Sequence, residues 1–211
     1  MAAFRQALMR RRATTPRFRL PIPEAEAAAK LREAYAVEVA ARGGRYIDDE
    51  ETRSHIAHAA KWLTGPYKPG MLFYGTVGNG KSTLAKACEL LVAVQCRSHN
   101  DAESKRFSRV SAFDLADIAK NDAALFERLK KAELLSIDDM GVEPATIKVY
   151  GTVVSPFTDI LYYRYDRQLM TIVSSNLTLQ DVCDKYGERI GDRFYEMFDR
   201  IAFSNKSYRR K

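Results

Sequence analysis

Short apolar runs alternate with longer helical segments along the chain from about residue 70 onwards. The runs are rich in Val, Ile, Leu and aromatic residues and are bounded by polar or turn-forming positions, which predicts buried strands. The predicted strands are 71–74, 106–110, 134–137, 169–174 and 201–204. Strands that alternate with helices predict a mainly parallel, five-stranded sheet covered on both faces, so the expected fold class is a three-layer α/β/α domain.

Two helices are predicted before the first of these strands. The segment 24–42 is dominated by Ala, Glu, Lys, Leu and Arg, which favour helix, and it ends at the glycine pair 43–44. Asp48 and Glu51 have the spacing of a capping box, which predicts a second helix that ends near Leu63.

Charge and composition divide the chain near residue 44. Residues 1–22 contain six arginines and no acid, and residues 206–211 contain four more basic residues. The rest of the chain has 24 basic and 27 acidic residues, so the net charge of +7 comes from the two ends. Such ends suit a nucleic-acid backbone or an acidic protein surface, and they equally suit a solvated arm.

We therefore predict a basic arm with a short helical extension in residues 1–44 and the α/β domain in residues 45–211. The Ala/Leu/Val stripe of helix 24–41 is a candidate surface for docking a partner, although it would equally suit packing on its own domain.

Apolar runs and cysteines indicate a cytoplasmic protein with no membrane association. The longest purely apolar run is Leu90–Val94, far too short to span a bilayer, and the first thirty residues contain no signal-peptide core. An Arg-rich, acid-free start is also a feature of mitochondrial transit peptides. Cys88, Cys96 and Cys183 are odd in number and lack the spacing of a zinc site, so we expect reduced thiols.

A phosphate-binding motif follows the first predicted strand. Residues 75–82 match G-x-x-x-x-G-K-[ST] at every fixed position and lead into a helix. Glycines let backbone N–H groups point inward around phosphates, and the helix N-terminus adds a positive dipole end. We expect Lys81 to reach the β- and γ-phosphates of ATP and Ser82 to bind Mg²⁺. The predicted nucleotide-binding residues are Gly75, Thr76, Val77, Gly78, Asn79, Gly80, Lys81, Ser82 and Thr83.

Polar residues at the ends of two later strands complete a hydrolytic site. The buried strand 134–137 ends in Asp138 and Asp139, and ligands of parallel α/β sheets bind at the carboxyl ends of strands. We expect Asp138 to hold Mg²⁺ and Asp139 to act as the base that polarises the attacking water. Asn176 ends the fourth strand, where its amide can orient that water against the γ-phosphate. These residue types predict an ATPase.

Four segments resemble one known family. They are Leu-Ser-Ile-Asp-Asp-Met-Gly (135–141), Ser-Ser-Asn-Leu-Thr (174–178), Tyr-Gly-Glu-Arg-Ile-Gly-Asp-Arg (186–193) and Ser-Tyr-Arg (207–209). Residues 45–211 are thereby similar to the AAA+ ATPases of the DnaC type, which load replicative helicases, and to the related IstB transposition helpers. The resemblance implies the P-loop NTPase fold of the AAA+ class and a sensor-1 role for Asn176.

The resemblance also implies roles for three arginines and for partners. Arg189 corresponds to an arginine finger that reaches the nucleotide of a neighbouring subunit, with Arg193 one turn further on the same face. Arg209 corresponds to the second sensor, which acts on the nucleotide of its own subunit. Members assemble into spirals or rings with single-stranded DNA inside, and only 35 residues follow Asn176, so a reduced lid is expected. Candidate DNA contacts are Arg97, Lys105, Arg106, Arg109 and the segment 120–131.

The leading hypothesis is an ATP-dependent loader that places a replicative DNA helicase on single-stranded DNA. An IstB-like transposition helper has the same ATPase chemistry and would prefer double-stranded DNA. A small-molecule P-loop kinase shares the phosphate loop, but it would need a lid and acceptor-binding residues. A nucleotide-dependent scaffold without turnover is a third alternative, which the intact Lys81, Asp138 and Asp139 oppose.

Overall fold

A computed structural model describes residues 1, 4–6, 17–100, 103–204 and 208. The central sheet has five strands, all parallel, in the order β2-β3-β6-β1-β7. Its strands are β1 Gly70–Gly75, β2 Ser108–Ser111, β3 Leu134–Met140, β6 Met170–Ser175 and β7 Phe198–Phe203. A two-stranded antiparallel hairpin, β4 Ile147–Val149 and β5 Thr152–Val154, lies outside this sheet. The predicted fold class is confirmed.

Eight helices are assigned within the described residues. They are α1 Glu24–Ala40, α2 Glu50–Thr64, α3 Lys81–Gln95, α4 Ala112–Asn121, α5 Ala123–Lys131, α6 Pro156–Arg167, α7 Leu179–Tyr186 and α8 Glu188–Met197. None of them is long and apolar enough to span a membrane.

The sheet is covered on both faces because alternate strand residues point to opposite sides. Met71 and Phe73 pack with helices α1 to α3, whereas Leu72 between them packs with α4 to α8. Ile172 and Val173 on the neighbouring strand divide in the same way. Two apolar cores therefore hold the sheet between two helical layers.

The five predicted sheet strands are all present, with ends that shift by up to three residues. The hairpin β4–β5 was not predicted, although Tyr150-Gly151 between two runs rich in β-branched residues is a hairpin signal. The predicted cap of the second helix is one residue early. Asp49, not Asp48, is the N-cap, and its carboxylate accepts a hydrogen bond from the Thr52 N–H at 2.7 Å.

Helix α1 belongs to the same core as the sheet. Its Ala27 and Leu31 are fully buried together with residues of α2, β1 and α3, and Lys30 Nζ donates a hydrogen bond to Gln95 Oε1 of α3 at 2.9 Å. The apolar stripe that we considered for partner docking thus packs on its own domain. The division of the chain into residues 1–44 and 45–211 remains a prediction.

One arginine is fully buried at the junction of α6 with the sheet. The Arg164 guanidinium donates to Thr171 Oγ1 at 2.8 Å and to the carbonyl oxygens of Ala132 and Met170, each at 2.6 Å. Burial lowers the pKa of Arg164, and these acceptors compensate for its lost hydration. Arg164 therefore has a structural role, since its bonds connect α6, β6 and the α5–β3 turn.

Arg164→Met is expected to lower the free energy of unfolding by about 2–4 kcal/mol, because several buried acceptors lose their donor at once. Urea denaturation measures this change. Arg167→Met is the matched control on the same helix, since Arg167 is exposed and stacks on the Tyr163 ring at 3.7 Å; it should cost about 1 kcal/mol or less. Equal losses in the two variants would contradict the proposed role of Arg164.

Candidate active site

The phosphate loop connects the end of β1 to the start of α3. Gly75, Gly78 and Gly80 have φ values of 127°, 84° and 103°, which residues with a side chain rarely adopt. Space is equally restrictive, because a Cβ on Gly75 would lie 2.2 Å from the Phe203 carbonyl oxygen and one on Gly80 would lie 2.4 Å from the Tyr35 hydroxyl. The glycines of the motif are therefore required by the turn that the loop makes.

Lys81 lies at the centre of this loop and is only 5% exposed. Its ammonium donates to the carbonyl oxygens of Gly75 at 2.9 Å and Thr76 at 2.5 Å, and to Asn79 Oδ1 at 3.2 Å. Asn79 in turn donates to the Phe203 carbonyl at 2.7 Å, which attaches the loop to β7. A buried cation surrounded by a glycine-lined loop at a helix N-terminus fits the phosphates of a nucleotide.

The two predicted Mg²⁺ ligands are neighbours. The Ser82 side chain lies close enough to the Asp138 carboxylate to lower its pKa, and the Ser174 hydroxyl and the Arg109 guanidinium donate hydrogen bonds to that carboxylate. Burial alone would raise the pKa of Asp138, but these donors outweigh it and hold the pKa below its ordinary value. An ionised carboxylate beside a serine hydroxyl is a donor set that fits Mg²⁺.

Arg109, a candidate DNA contact in the sequence, forms ion pairs beside the nucleotide site, and its role in DNA binding remains a prediction. Arg109 pairs in register with Ser136, so it shares a face of the sheet with Asp138 two residues further on. Its guanidinium forms ion pairs with Asp138 and with Glu89 of α3, the latter at 2.8 Å. Burial raises the pKa of Glu89 against the opposing effects of Ser136 and Arg109. Arg109 therefore neutralises two partly buried acids behind the phosphate loop.

Arg109→Met is expected to destabilise the fold by about 1–3 kcal/mol at neutral pH, because two partly buried carboxylates lose their counter-ion. Without the guanidinium, burial raises both carboxyl pKa values above those of the unfolded chain. As the pH falls, each carboxyl is then protonated at a higher pH in the folded state than in the unfolded chain, and this protonation removes the unpaired charge. The difference in the free energy of unfolding between this variant and wild type, measured by urea denaturation, should thus become smaller from about pH 7 to about pH 4.5.

The exposed arginine Arg106, just before β2, provides the control for this experiment. Arg106→Met should leave the free energy of unfolding within about 0.5 kcal/mol of wild type at either pH. A stability loss in Arg109→Met that stays constant or grows at acid pH would contradict the assignment.

Asp139 has a backbone conformation unlike that of its neighbours in β3. Its φ is 54°, in the left-handed region, and the pairing of β3 with β6 shifts register between Ile137 and Met140. The Asp139 N–H donates to Ser174 Oγ at 3.0 Å, so β6 holds the bulge in place. The bulge aims Asp139 at the nucleotide cavity, whereas Asp138 stays within the sheet.

These groups open onto one cavity of about 630 Å³. Val77 to Thr83, Asp139 and Asn176 all line it, so the structure brings together most of the predicted site. One wall was not predicted and comes from the first two helices and the loop between them. Its residues are Tyr35, Val39, Arg42, Gly43, Gly44, Arg45, Ile47 and Thr52. Tyr35, Val39 and Ile47 give this wall an aromatic and apolar part, which suits the base of a nucleotide.

Comparisons with known proteins identify the fold. No protein-family model and no curated protein matches this sequence. The crystal structure of the DnaC helicase loader matches with a TM-score of 0.60 and 19% identity, over 75% of this chain and 93% of that one. The crystal structure of DnaI matches with a TM-score of 0.58 and 19% identity, over 82% of this chain and 94% of that one. The structure of DnaA from Aquifex aeolicus bound to AMPPCP matches with a TM-score of 0.56 and 22% identity, over 78% of this chain and 50% of that one.

This chain has the fold of these three structures. In its sheet, β6 lies between the strand of the phosphate loop and the strand of the two acids. The resemblance to DnaC-type loaders noted in the sequence is confirmed at the level of the fold.

The three arginines assigned from the AAA+ resemblance have different surroundings. Arg189 is exposed on α8 and does not line the cavity, as expected of a group that acts on a neighbouring subunit. Arg193 lies over the Tyr162 and Tyr165 rings at 4.9 and 4.3 Å, so part of its binding capacity is used within the subunit. Arg209 lies outside the described residues. Its catalytic role, like those of Arg189 and Arg193, remains a prediction.

Tyr208, beside Arg209 in the sequence, contacts the phosphate loop. Its N–H donates to the Gly78 carbonyl at 2.9 Å, and its hydroxyl donates to Asp49 Oδ2 at 2.7 Å. The Ser-Tyr-Arg segment thus reaches the nucleotide cavity through its tyrosine, a contact that the sequence did not predict.

The remaining candidate DNA contacts are divided between paired and exposed side chains. Lys105 forms an ion pair with Glu133 at 2.6 Å, and Lys130 forms one with Asp159 at 2.8 Å. Arg97 and Arg106 are exposed, at the amino end of β2 and hence at the edge of the sheet opposite the nucleotide cavity. Their role in DNA binding remains a prediction.

Proposed function

We propose that this protein is an ATP-dependent helicase loader, which binds single-stranded DNA and assists the placement of a replicative helicase. The carrying observation is that Lys81, Ser82, Asp139 and Asn176 line one cavity, with Asp138 next to Ser82. The fold matches those of DnaC and DnaI over 93% and 94% of their chains. The acids and the amide are those that hydrolysis of a nucleotide requires, beyond what binding alone would need.

Each residue has a distinct part in hydrolysis. The phosphate loop and Lys81 bind and neutralise the β- and γ-phosphates, while Ser82 and Asp138 hold Mg²⁺. Bound Mg²⁺ supplies charge neutralisation at the phosphate oxygens. Asp139 accepts a proton from the attacking water, and Asn176 orients that water in line with the bond to be broken. After phosphate leaves, Asp139 releases this proton to solvent.

Turnover is proposed to depend on assembly. Arg189 is exposed and outside its own cavity, so a neighbouring subunit in a spiral or ring is the source of the missing positive charge. An arginine supplied in this way is worth ~10³-fold or more in rate. The rate of ATP hydrolysis would then depend on the geometry of the oligomer on DNA.

The deciding experiment measures ATP hydrolysis and oligomeric mass together, with and without single-stranded DNA. The loader proposal expects ATP-dependent assembly and faster hydrolysis with single strands, and Lys81→Ala should abolish both by preventing nucleotide binding. Stimulation by double-stranded DNA alone would instead indicate an IstB-like transposition helper. Steady hydrolysis by a monomer indifferent to DNA would overturn the loader proposal in favour of a small-molecule P-loop kinase.

A further inference from the structure

The hairpin β4–β5, which follows the strand of the two acids in the chain, projects an aromatic side chain into solvent. Tyr150 and Gly151 form its turn, with φ values of 48° and 84°, and Tyr150 is fully exposed. The two-residue turn with both φ positive fixes the direction of the strands and hence of this ring. A large apolar ring held in water at a rigid turn points to an interaction that covers it.

The charge of the hairpin favours a polyanion. Residues 144–155 contain one lysine and no acid. Lys148 pairs with Val153 across the two strands, and both side chains are exposed on the same face, next to the turn. The hairpin thus presents an ammonium, an apolar patch and an aromatic ring together, without a carboxylate to repel phosphates.

The loop between the two acids and the hairpin is held by a hydrogen-bond network. Glu143 is 2% exposed and accepts hydrogen bonds from the Gly141 N–H at 2.8 Å and from the Tyr186 hydroxyl. Lys185 donates to the carbonyl oxygens of Gly141 and Glu143, each at 2.6 Å. This network connects the loop after Asp139 to helix α7, immediately before the helix of Arg189.

We propose that the β4–β5 hairpin is a single-strand-binding element, in which Tyr150 stacks on an unpaired base and Lys148 contacts the adjacent phosphate. The inference rests on the proposed function, because it assigns residues to the DNA contact of the loader. Base stacking on an aromatic ring is tolerant of sequence, and a lysine contact follows the backbone, so the element would bind single strands without base specificity.

The test compares two oligonucleotides of equal length, one of thymidines and one abasic, by fluorescence anisotropy in the presence of AMPPCP and Mg²⁺. Tyr150→Ala is expected to weaken binding of the thymidine strand by about 5-fold to 150-fold and to leave binding of the abasic strand unchanged. Tyr150→Phe keeps the ring and should bind like wild type. Lys148→Ala should reduce the slope of log affinity against log salt by about 0.7 for both strands.

Tyr195→Ala is the matched control, since Tyr195 is an exposed tyrosine on α8 that is remote in sequence from the hairpin. It should bind both strands like wild type. Basal ATP hydrolysis without DNA should be unchanged in Tyr150→Ala, which verifies that the site is intact.

Four outcomes would overturn the inference. Wild-type binding of both strands by Tyr150→Ala would remove the hairpin from the DNA contact while leaving the loader proposal standing. An equal loss for both strands would indicate a structural defect, and a loss of self-association with DNA affinity retained would indicate a protein contact. If wild type binds neither strand, the DNA-binding part of the proposed function fails together with the hairpin.

Discussion

An Asp139→Asn protein is expected to bind ATP with near wild-type affinity and to hydrolyse it at least ~100-fold more slowly, the size of effect that loss of a general base produces. The amide keeps the shape of the carboxyl group but cannot accept a proton from water. Asparagine also tolerates the left-handed backbone that this position adopts, with its φ of 54°, so the bulge in β3 should persist. The measurements are equilibrium nucleotide binding and steady-state hydrolysis by the assembled protein.

Asp138→Asn distinguishes the two adjacent acids. Asp138 accepts hydrogen bonds from Ser174 and Arg109, and it does not line the cavity. Its replacement should weaken Mg²⁺-dependent nucleotide binding as well as turnover, because a metal ligand is lost. Normal hydrolysis by Asp139→Asn, or an equal loss of nucleotide affinity in both variants, would refute the assignment of Asp139 as the base.

Arg189→Ala is expected to leave nucleotide binding by each subunit unchanged and to reduce hydrolysis by the assembled protein by ~10³-fold, as the removal of an arginine finger does. The reason is geometric, since the exposed Arg189 lies outside the cavity of its own subunit. Arg53→Ala, at another exposed arginine, should hydrolyse ATP like wild type.

Mixing two inactive variants tests whether the finger acts between subunits. A Lys81→Ala subunit lacks a working phosphate site but retains Arg189, and an Arg189→Ala subunit has the reverse defect. Assemblies of both should recover part of the wild-type rate, because some interfaces combine an intact site with an intact finger. Absence of recovery in verified mixed oligomers, or a defect already present in the monomer, would contradict a role in trans.

The local motifs of the candidate site were readable because each is contiguous in sequence. The phosphate loop has its glycines, Lys81 and Ser82 within eight residues, and the two acids directly follow an apolar run. Glycine positions with obligatory positive φ and a lysine at a helix start leave few alternatives for such a segment. The alternation of strands and helices likewise predicted the layered α/β architecture, since burial on both faces of a parallel sheet gives continuous apolar runs.

By itself the sequence determined the nucleotide-binding loop, the two acids and the class of the sheet, because these follow from backbone sterics and from the period of apolar residues. Tertiary structure alone decided the partners of Asp138, since Arg109 is 29 residues away and Ser174 is 36 residues away on two different strands. It also decided that Tyr35 and the loop after α1 form a wall of the cavity. Such contacts depend on strand order and on which helix covers which face, and a local pattern of residue types contains neither.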